Sequence, residues 1–246
     1  MEQLSERITC YIFSYLDVVS LSRCRQVCRN WLELLTKETE LWKELYERSG
    51  DQTQELKQVS CYYRKLVALQ CSWNPKDCSP NITIENKDTF TMQRNCKAQS
   101  TDAVRAKSGF SRGRHYWTVC WLGPNYGSAA VVGVATKEAP LHGDGYFALL
   151  GSNQQSWGWN VPGTVLTHDG VTVEYPSNKE LQAVKLKDTI GVILDMNDCT
   201  LSFEVNGIPL GIAFDDLPRV ALYPAISVVY GGSKVKLLYH GSPLDG

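Results

Sequence analysis

Apolar residues recur every three or four positions through the first 70 residues of the chain. Leu4, Ile8 and Ile12 lie four apart, and Phe13 and Leu16 lie beside that stripe. Because an α-helix turns once every 3.6 residues, this spacing places the apolar side chains on one helix face. The pattern therefore predicts a series of short amphipathic helices.

Polar and glycine residues mark where the next helices begin and end. Asp17 is expected to cap a second helix, because its carboxylate can accept from backbone N–H groups of the first turn. The apolar stripe then continues through Leu21, Cys24, Cys28, Trp31 and Leu35. Gly50 is expected to close a further helix as its C-cap. That helix carries Leu41, Trp42, Leu45 and Tyr46.

The pattern changes to a period of two residues after Trp73. All ten prolines and nearly all of the glycines lie beyond this residue. Runs of apolar or alternating side chains predict strands over 117–121, 129–135, 188–196, 201–205, 222–230 and 234–239. The dipeptide Asn206-Gly207 predicts a two-residue hairpin turn, because both residues adopt a positive φ at low cost. Many short strands with close turns are typical of an antiparallel β-sandwich.

The change of period predicts an α+β multidomain chain. We expect a small helical domain over 1–49, a helical connector over 50–72 and an antiparallel β-sandwich over 73–246. Tyr62, Tyr63, Leu66 and Leu69 are expected to pack the connector against the domain that follows. Three or four short helices cannot bury a large core. We therefore expect the helical domain to complete its core against a partner or a neighbouring domain.

Charge and composition exclude several classes of partner. The chain has 25 Lys and Arg residues against 26 Asp and Glu residues, which gives a formal charge of −1. Binding of nucleic acid or of an anionic membrane needs a clustered positive field, so neither is expected as the main function. No apolar run approaches the roughly 18 residues of a membrane-spanning helix, and the first residues do not resemble a signal peptide. We expect no membrane insertion and a cytoplasmic location.

No group of reactive side chains has the spacing of a catalytic or metal site. The nine cysteines, an odd number, indicate reduced thiols, and the four histidines lie far apart. Gly143 and Gly145 precede a predicted strand rather than a helix, so they lack the geometry of a phosphate-binding loop. We expect no catalytic residue, no metal site and no cofactor, and the chain is predicted not to be an enzyme.

Aromatic residues of the second half are divided between the core and a candidate interface. The predicted core residues are Trp117, Trp121, Trp157 and Trp159. Tyr146 and Tyr230 fit either position from the pattern alone, because aromatic side chains supply large contact areas in cores and in interfaces.

The helical half resembles an F-box domain. The resemblance rests on Leu4–Ile8, Ile12–Leu16, Leu21, Val27–Trp31 and Leu41–Trp42. An F-box domain binds a Skp-type adaptor subunit, which connects it to a cullin or another RING-bearing ubiquitin ligase. The resemblance implies that the residues contacting the adaptor are Leu4, Ile8, Phe13, Leu16 and Leu21. Ser5 stands where an F-box usually has proline, so weakened rather than abolished binding is expected.

The second half resembles a SPRY domain. The resemblance rests on Ser108–Trp117, Val131–Thr136, Gly158–Trp159, Leu201–Gly207 and Leu222–Ala225. The combination of the two halves resembles the synaptic F-box/SPRY-domain family over nearly the whole chain. This resemblance implies a non-enzymatic receptor whose SPRY domain holds the protein substrate of a ubiquitin ligase. In that family the ligase is also a large Highwire-type RING protein with roles at synapses, which include the neuromuscular junction.

The SPRY half is also similar to the SPRY-and-SOCS-box family, through Ala98–Asp102 and Tyr146–Gly151. In that family a shallow pocket binds a short peptide rich in Asp and Asn. The matching positions here are Arg94, Cys96, Ala98, Tyr146, Leu149, Val229, Tyr230 and Gly231. The resemblance implies that Arg94 pairs with an acidic side chain of the peptide through two parallel hydrogen bonds. It also implies that the two tyrosines hydrogen-bond to the peptide backbone.

Two positions of this pocket depart from the SPRY-and-SOCS-box pattern. Cys96 stands where that family has proline, and Tyr230 stands where it has tryptophan. The peptide preference is therefore expected to differ even where the pocket is retained.

Two functions of different classes fit the sequence. The first is a substrate receptor of a ubiquitin ligase, in which the F-box binds a Skp-type adaptor and the SPRY domain binds a short motif of the substrate. The alternative is a stand-alone SPRY scaffold that binds peptides without ubiquitin transfer. Adaptor binding at micromolar concentration distinguishes the two, because only the first requires it.

Overall fold

The computed structural model describes residues 5–37, 39–51, 53–85, 87–176 and 183–241. The chain divides into two compact units, Met1–Leu69 and Gln70–Gly246. The first is helical and the second contains two antiparallel sheets, so the predicted α+β class, with a helical domain before a β-sandwich, is confirmed. Leu4, one of the predicted adaptor contacts, lies outside the described residues.

Six helices are present in the described part of the first 70 residues. They are α1 Glu6–Phe13, α2 Val18–Cys24, α3 Arg29–Lys37, α4 Thr39–Ser49, α5 Gln54–Lys57 and α6 Tyr62–Gln70. The structure divides the apolar stripe from Leu21 to Leu35 between α2 and α3. Helices α1 to α4 agree with the three or four short helices expected before Gly50, and α5 and α6 lie in the following stretch, which is also expected to be helical.

Capping residues determine where these helices begin and end. Ser5 precedes α1 with an extended backbone, and its Oγ accepts from the N–H of Ile8 at 3.5 Å. A serine N-cap thus takes the place of the usual F-box proline. Asp17 caps α2 as predicted, because its Oδ1 accepts from the N–H of Ser20 at 2.8 Å. Gly50 follows α4 with a φ of 66°, the left-handed conformation of a helix C-cap.

The helical unit has a small core of its own. Its buried side chains are Phe13, Leu21, Leu34, Leu35, Leu41, Trp42 and Leu66. The rings of Phe13 and Trp31 meet edge to face, with their centroids 5.2 Å apart. The indole N–H of Trp42 donates to the carbonyl oxygen of Leu35 at 2.8 Å, which satisfies a polar group that would otherwise be costly to bury.

Helix α6 belongs to this core and not to a separate connector. Leu66 is buried within it, and Tyr62, Tyr63 and Leu69 pack against it. The ring of Tyr63 lies 4.9 Å from that of Trp42, measured between centroids. These contacts correct the expectation that residues 50–72 form a connector packed against the following domain. The side chains of α6 instead supply apolar area that the short helices before it lack.

Fifteen strands form the described part of the second unit. They are β1 Trp73–Cys78, β2 Ile82–Glu85, β3 Asp88–Arg94, β4 Ser100–Ala106, β5 Arg114–Gly123, β6 Ala130–Ala135, β7 His142–Asp144, β8 Ser156–Asn160, β9 Val165–His168, β10 Val171–Glu174, β11 Thr189–Asp195, β12 Thr200–Val205, β13 Ile208–Phe214, β14 Tyr223–Val228 and β15 Lys234–Gly241.

These strands form two sheets. Sheet A has the order β1-β4-β14-β6-β8-β9-β10, with β7 also paired to β4. Sheet B has the order β13-β12-β11-β5-β15-β3-β2. The hairpin between β12 and β13 turns at Asn206 and Gly207, whose φ angles are 51° and 80°, as the dipeptide predicts.

The two sheets differ in how their residues are buried. In sheet B, Trp117 and Trp121 of β5 are buried while their neighbours along the strand are less so, which is the predicted alternation. The other two tryptophans predicted to be in the core are buried as well. In sheet A every residue of β6 is buried, because Val131 and Ala135 also pack against Leu150 from the segment between β6 and β8. Burial on both faces explains the small and β-branched composition of that strand.

Candidate functional site

The helical unit exposes a group of apolar side chains on α1, α2 and the turn between them. Ile8, Tyr11, Ile12, Tyr15 and Val19 are each between 44% and 73% exposed. The hydroxyl of Tyr15 donates to that of Tyr11 at 2.6 Å, which holds the two rings together on the surface. We refer to these five residues as the α1–α2 face. A monomeric protein seldom leaves so many large apolar side chains exposed side by side, so the face has the character of a protein interface.

The structure divides the predicted adaptor contacts between this face and the core. Ile8 lies on the α1–α2 face, whereas Phe13 is 2% exposed and Leu21 is fully buried. Leu16 is partly buried and packs against the same core. The expectation that Phe13 and Leu21 await a partner is therefore corrected, because the unit covers them itself. Leu16 is covered only in part. Tyr11, Ile12, Tyr15 and Val19 are exposed residues of this face that the predicted adaptor contacts did not include.

A cavity of about 470 Å³ lies in the second unit and brings together most of the predicted peptide contacts. Seven of the eight predicted residues line it: Arg94, Cys96, Ala98, Tyr146, Val229, Tyr230 and Gly231. Leu149 does not line it and is a buried residue of the core. Lys97, Gly127 and Ser128 line the cavity as well. We call this the sandwich cavity.

Arg94, at the end of β3, holds one wall of the sandwich cavity in place from within. Its side chain is 1% exposed, and its Nε donates to Oδ2 of Asp102 at 2.7 Å. One terminal nitrogen donates to the carbonyl oxygens of Lys97 and Ser100, at 2.8 and 2.7 Å. The other donates to the carbonyl oxygen of Asn95 at 3.3 Å. The guanidinium therefore anchors the 95–100 loop, which corrects the expectation that it forks onto a ligand carboxylate.

Asp102, itself fully buried, is the centre of a hydrogen-bond network. Besides Arg94, its carboxylate accepts from Ser79 and Ser100 at 2.6 Å each, from Asn81 at 2.9 Å and from His142 at 3.0 Å. Burial alone would raise the pKa of this carboxyl. The hydrogen bonds from Ser100, Ser79, His142 and Asn81 outweigh burial and lower the pKa to about 2. Asp102 is therefore ionised at neutral pH and balances the charge of Arg94.

The 95–100 loop connects to Tyr146 on the opposite side of the sandwich cavity. Gln99 has a φ of 53°, and its N–H donates to the hydroxyl oxygen of Tyr146 at 2.9 Å. The carbonyl oxygen of Gln99 accepts from the N–H of Gly145 at 3.0 Å. These two bonds fix the position of the half-exposed Tyr146 ring. Because the tyrosine oxygen accepts from Gln99, its own proton is left to donate to another acceptor.

The third wall of the cavity is the segment after β14. Arg94 exchanges backbone hydrogen bonds with it, donating to Ser233 at 2.9 Å and accepting from Gly232 at 2.8 Å. A Cβ on Gly231 would lie 3.1 Å from the Cα of Cys96, so this glycine allows the two segments to approach closely. Cys96 therefore forms part of the wall in the place of a proline, and Tyr230 stands exposed beside it.

No three His, Cys, Asp or Glu side chains in the described part of the chain are grouped so that they could hold a metal ion. No helix within the described ranges is long and apolar enough to cross a membrane.

Comparison with known proteins assigns each of the two units to a domain family. A family model for F-box-like domains matches residues 6–48, and a model for the SPRY domain matches residues 114–241. The fold and the two surfaces thus define an F-box protein that carries a SPRY domain.

The chain is 46% identical over 241 residues to F-box/SPRY domain-containing protein 1 of Drosophila mojavensis, covering 96% of this chain and 95% of that protein. It is 45% identical over 251 residues to the Homo sapiens protein, covering 99% and 87%. The chain belongs to the F-box/SPRY domain-containing protein 1 family.

Solved structures agree with the fold of the second unit. The SPRY domain of human HERC1 matches with a TM-score of 0.55 and 23% identity, covering 68% of this chain and 96% of that domain. The PSpry domain of TRIM65 matches with a TM-score of 0.52 and 19% identity, covering 68% and 89%. At these identities the likeness shows the SPRY fold alone.

The pairing of the two domains supports a receptor-type role in a ubiquitin ligase. The F-box-like domain implies binding to a Skp-type adaptor, and the SPRY domain implies protein–protein interaction. The family therefore favours a substrate-recognition subunit over a catalytic enzyme.

Proposed function

We propose that this chain is the substrate receptor of a ubiquitin ligase. In this proposal the α1–α2 face binds a Skp-type adaptor, and the sandwich cavity binds a short peptide motif of the substrate. The adaptor in turn connects the chain to a cullin or a Highwire-type RING ligase, in the cytoplasm and at the synapse. One observation carries the proposal: α1 and α2 expose a group of apolar side chains although the unit already has a core of its own.

Burial of the α1–α2 face supplies the energy for adaptor binding. Ile8, Ile12 and Val19 are 44–49% exposed. Each therefore gains roughly half of the transfer free energy of a fully exposed side chain, about 0.7–1.5 kcal/mol, when a partner covers it. Tyr11 and Tyr15 add aromatic contact area, and the hydroxyl of Tyr15 already donates to that of Tyr11. Phe13 and Leu21 contribute indirectly, because they hold α1 and α2 in the positions that present the face.

Replacement of Ile12 by aspartate is expected to weaken adaptor binding at least a hundredfold. The change removes apolar area from the centre of the face and places a carboxylate where binding would desolvate it. Ile12 is exposed, so the helical unit should keep its fold. Isothermal titration of the purified full chain with a Skp-type adaptor measures the change, and circular dichroism confirms that helix content is retained.

Gln58→Asp is the matched control for this experiment. It adds the same charge at an exposed residue after α5, outside the α1–α2 face, and should leave adaptor affinity unchanged. Leu16→Asp is a poorer test, because Leu16 packs against the core and its replacement would also unfold the unit. Adaptor binding by Ile12→Asp with wild-type affinity would refute the assignment of the face.

The sandwich cavity supports peptide binding by its shape and by its side chains. Tyr146 and Tyr230 provide aromatic walls, and the hydroxyl of Tyr146 is positioned to donate to a peptide carbonyl. Because Asp102 balances Arg94, the charge facing a ligand comes from the exposed ammonium of Lys97. This cation and the amide-rich loop favour a peptide containing Asp and Asn, as in the SPRY-and-SOCS-box family.

Tyr230→Ala is expected to lower the affinity for such a peptide about tenfold or more, because an aromatic wall of a binding pocket commonly contributes over 1 kcal/mol. The side chain is exposed, so stability should change little. Fluorescence polarisation with a labelled peptide panel rich in Asp and Asn gives the measurement. Ile208→Ala, an exposed apolar residue on β13 outside the cavity, is the control. Equal affinities for the Tyr230→Ala and Ile208→Ala variants would argue against the cavity as the peptide site.

A further inference from the structure

Sheet A ends at β10, and no strand in the described part of the chain pairs with its outer side. Strands β9 and β10 form a hairpin that turns at Asp169 and Gly170, whose φ angles are 49° and 73°. A two-residue turn of this kind makes the residues on either side of it a hydrogen-bonded pair. Because hydrogen-bonded and non-hydrogen-bonded pairs alternate, Thr172 and Glu174 direct their backbone N–H and C=O groups away from β9. We call the outer side of Val171–Glu174 the β10 edge.

The other three strands that end a sheet carry features that hinder pairing with a further strand. β1 contains Pro75 and β13 contains Pro209, and both have an irregular register with their neighbours. The register of β2 against β3 also shifts. In contrast, β10 contains no proline and keeps a regular register with β9. Prolines and bulges protect edge strands from added strands, so β10 is the end strand that these two features leave open.

Two exposed valines beside this edge supply apolar area for a partner. Val173 lies opposite Leu166 of β9, which is buried in the core. Residues directly opposite each other share a face of the sheet, so Val173 and Val171 lie on the core face of sheet A. They are nevertheless 59% and 64% exposed, because the sheet ends beside them. A further strand would extend this face and cover both side chains.

The charges of the hairpin indicate which kind of strand fits. Residues 165–174 contain two carboxylates, Asp169 and Glu174, and neither lysine nor arginine. Both acidic residues are exposed. Opposite charges across two strands stabilise their pairing and like charges destabilise it. A second copy of this chain would bring two more carboxylates to the edge, so a strand with a basic residue is favoured over self-association.

We propose that the β10 edge binds an extended segment of a partner protein by β-strand addition. The segment runs antiparallel to β10, with a basic residue opposite Glu174 and apolar residues opposite Val173 and Val171. Main-chain hydrogen bonds to Thr172 and Glu174 provide affinity, and the alternating side chains provide specificity. The β10 edge does not line the sandwich cavity and lies outside the α1–α2 face. It is therefore a third interaction surface, and it does not depend on the proposed receptor function.

The test uses the isotope-labelled full chain and the blocked peptide Ser-Arg-Val-Thr-Val-Ser. In the proposed register the peptide arginine lies opposite Glu174, and its threonine lies opposite Thr172. Titration is expected to shift the backbone amides of Thr172 and Glu174 most strongly. N-methylation of the peptide threonine, whose N–H faces β10, should lower the affinity about tenfold or more. N-methylation of the second peptide valine is the matched control, because that N–H faces away and the affinity should change little.

A variant of the chain tests the same contact from the other side. Thr172→Pro removes one outward N–H and leaves the hydrogen bonds to β9 in place, so it should lower peptide affinity about tenfold. Thr172→Ala keeps the N–H and should bind as the wild type does. If Thr172→Pro does not fold, the two N-methylated peptides decide.

Four results would overturn the proposal. They are equal affinities of the two N-methylated peptides, no shift of the Thr172 and Glu174 amides at millimolar peptide, and largest shifts at Tyr230 and Gly231 of the sandwich cavity. The fourth is self-association in sedimentation experiments that Thr172→Pro abolishes, because the occupant of the edge would then be a second copy of this chain.

Discussion

Replacement of Arg94 by alanine is expected to lower the free energy of unfolding of the sandwich by about 3–5 kcal/mol, the typical cost of breaking a buried ion pair from one side. The change leaves the fully buried carboxylate of Asp102 without its cation. It also frees the carbonyl oxygens of Lys97 and Ser100, which the guanidinium holds. Chemical denaturation of the full chain, followed by tryptophan fluorescence, measures the loss, because Trp117 and Trp121 are in the sandwich core.

Two further variants show whether the effect comes from the buried charge. Arg219→Ala removes an exposed arginine of the same unit, which donates to Asn197 at 3.4 Å, and should change stability by under about 0.5 kcal/mol. The double variant Arg94→Ala with Asp102→Ala should be destabilised by less than the sum of the single changes, because neither charge is then left alone. A cost of under about 1 kcal/mol for Arg94→Ala would contradict the role given to the pair.

Because Arg94 stabilises the fold, its replacement is a poor test of peptide binding in the sandwich cavity. Arg94 was the residue that the resemblance assigned to an acidic ligand side chain, and its replacement would abolish peptide binding in either case. In the structure that loss would follow from collapse of the 95–100 loop rather than from a missing contact. Tyr230, which is exposed, separates binding from stability where Arg94 cannot.

The periodicity of the sequence predicts the helices and most of the central strands, but not which side of α1 faces its own core. Ile8, Ile12 and Phe13 are all apolar, so spacing alone places them together. The choice depends on Trp31, which meets the ring of Phe13 and leaves the isoleucines exposed. Such a choice is made by tertiary packing, which the local pattern does not contain.

In the sandwich cavity, too, the sequence predicts which residues come together but not what each of them contacts. The resemblance brings seven residues to one cavity, because the segments that carry them are recognisable motifs. The internal role of Arg94 depends on a loop that folds back so that Asp102, eight residues later, meets it in the core. Leu149 matches the motif and yet lies beneath the surface. Neither burial nor hydrogen-bond partners can be inferred from spacing at these positions.

Gly133→Ala is expected to lower stability by about 3 kcal/mol or more, at the upper end of the cost of overpacking. A Cβ on this glycine would overlap the carbonyl oxygen of Trp157 on β8, and it would lie 2.8 Å from the Cα of Gly158. Both obstructing groups are main chain, so no side chain can rotate away. β6 is also paired with β14 on its other side, which prevents it from moving away from β8 alone.

Calorimetry of the full chain measures this effect as a fall of about 6–12 °C or more in the melting temperature of the sandwich, for a unit of this size. Gly163→Ala is the matched control. Its Cβ would lie 3.0 Å from the side-chain nitrogen of Asn160 and 3.5 Å from Cγ2 of Val165. Both are side-chain atoms at an exposed turn, and a shift of a few tenths of an ångström relieves the contact. We expect this control to lie within about 1 kcal/mol of the wild type, because alanine there also reduces the entropy of the unfolded chain. Equal stability of the two variants would show that β6 and β8 separate easily, and that the close pairing of Gly133 with Gly158 is not what holds sheet A together.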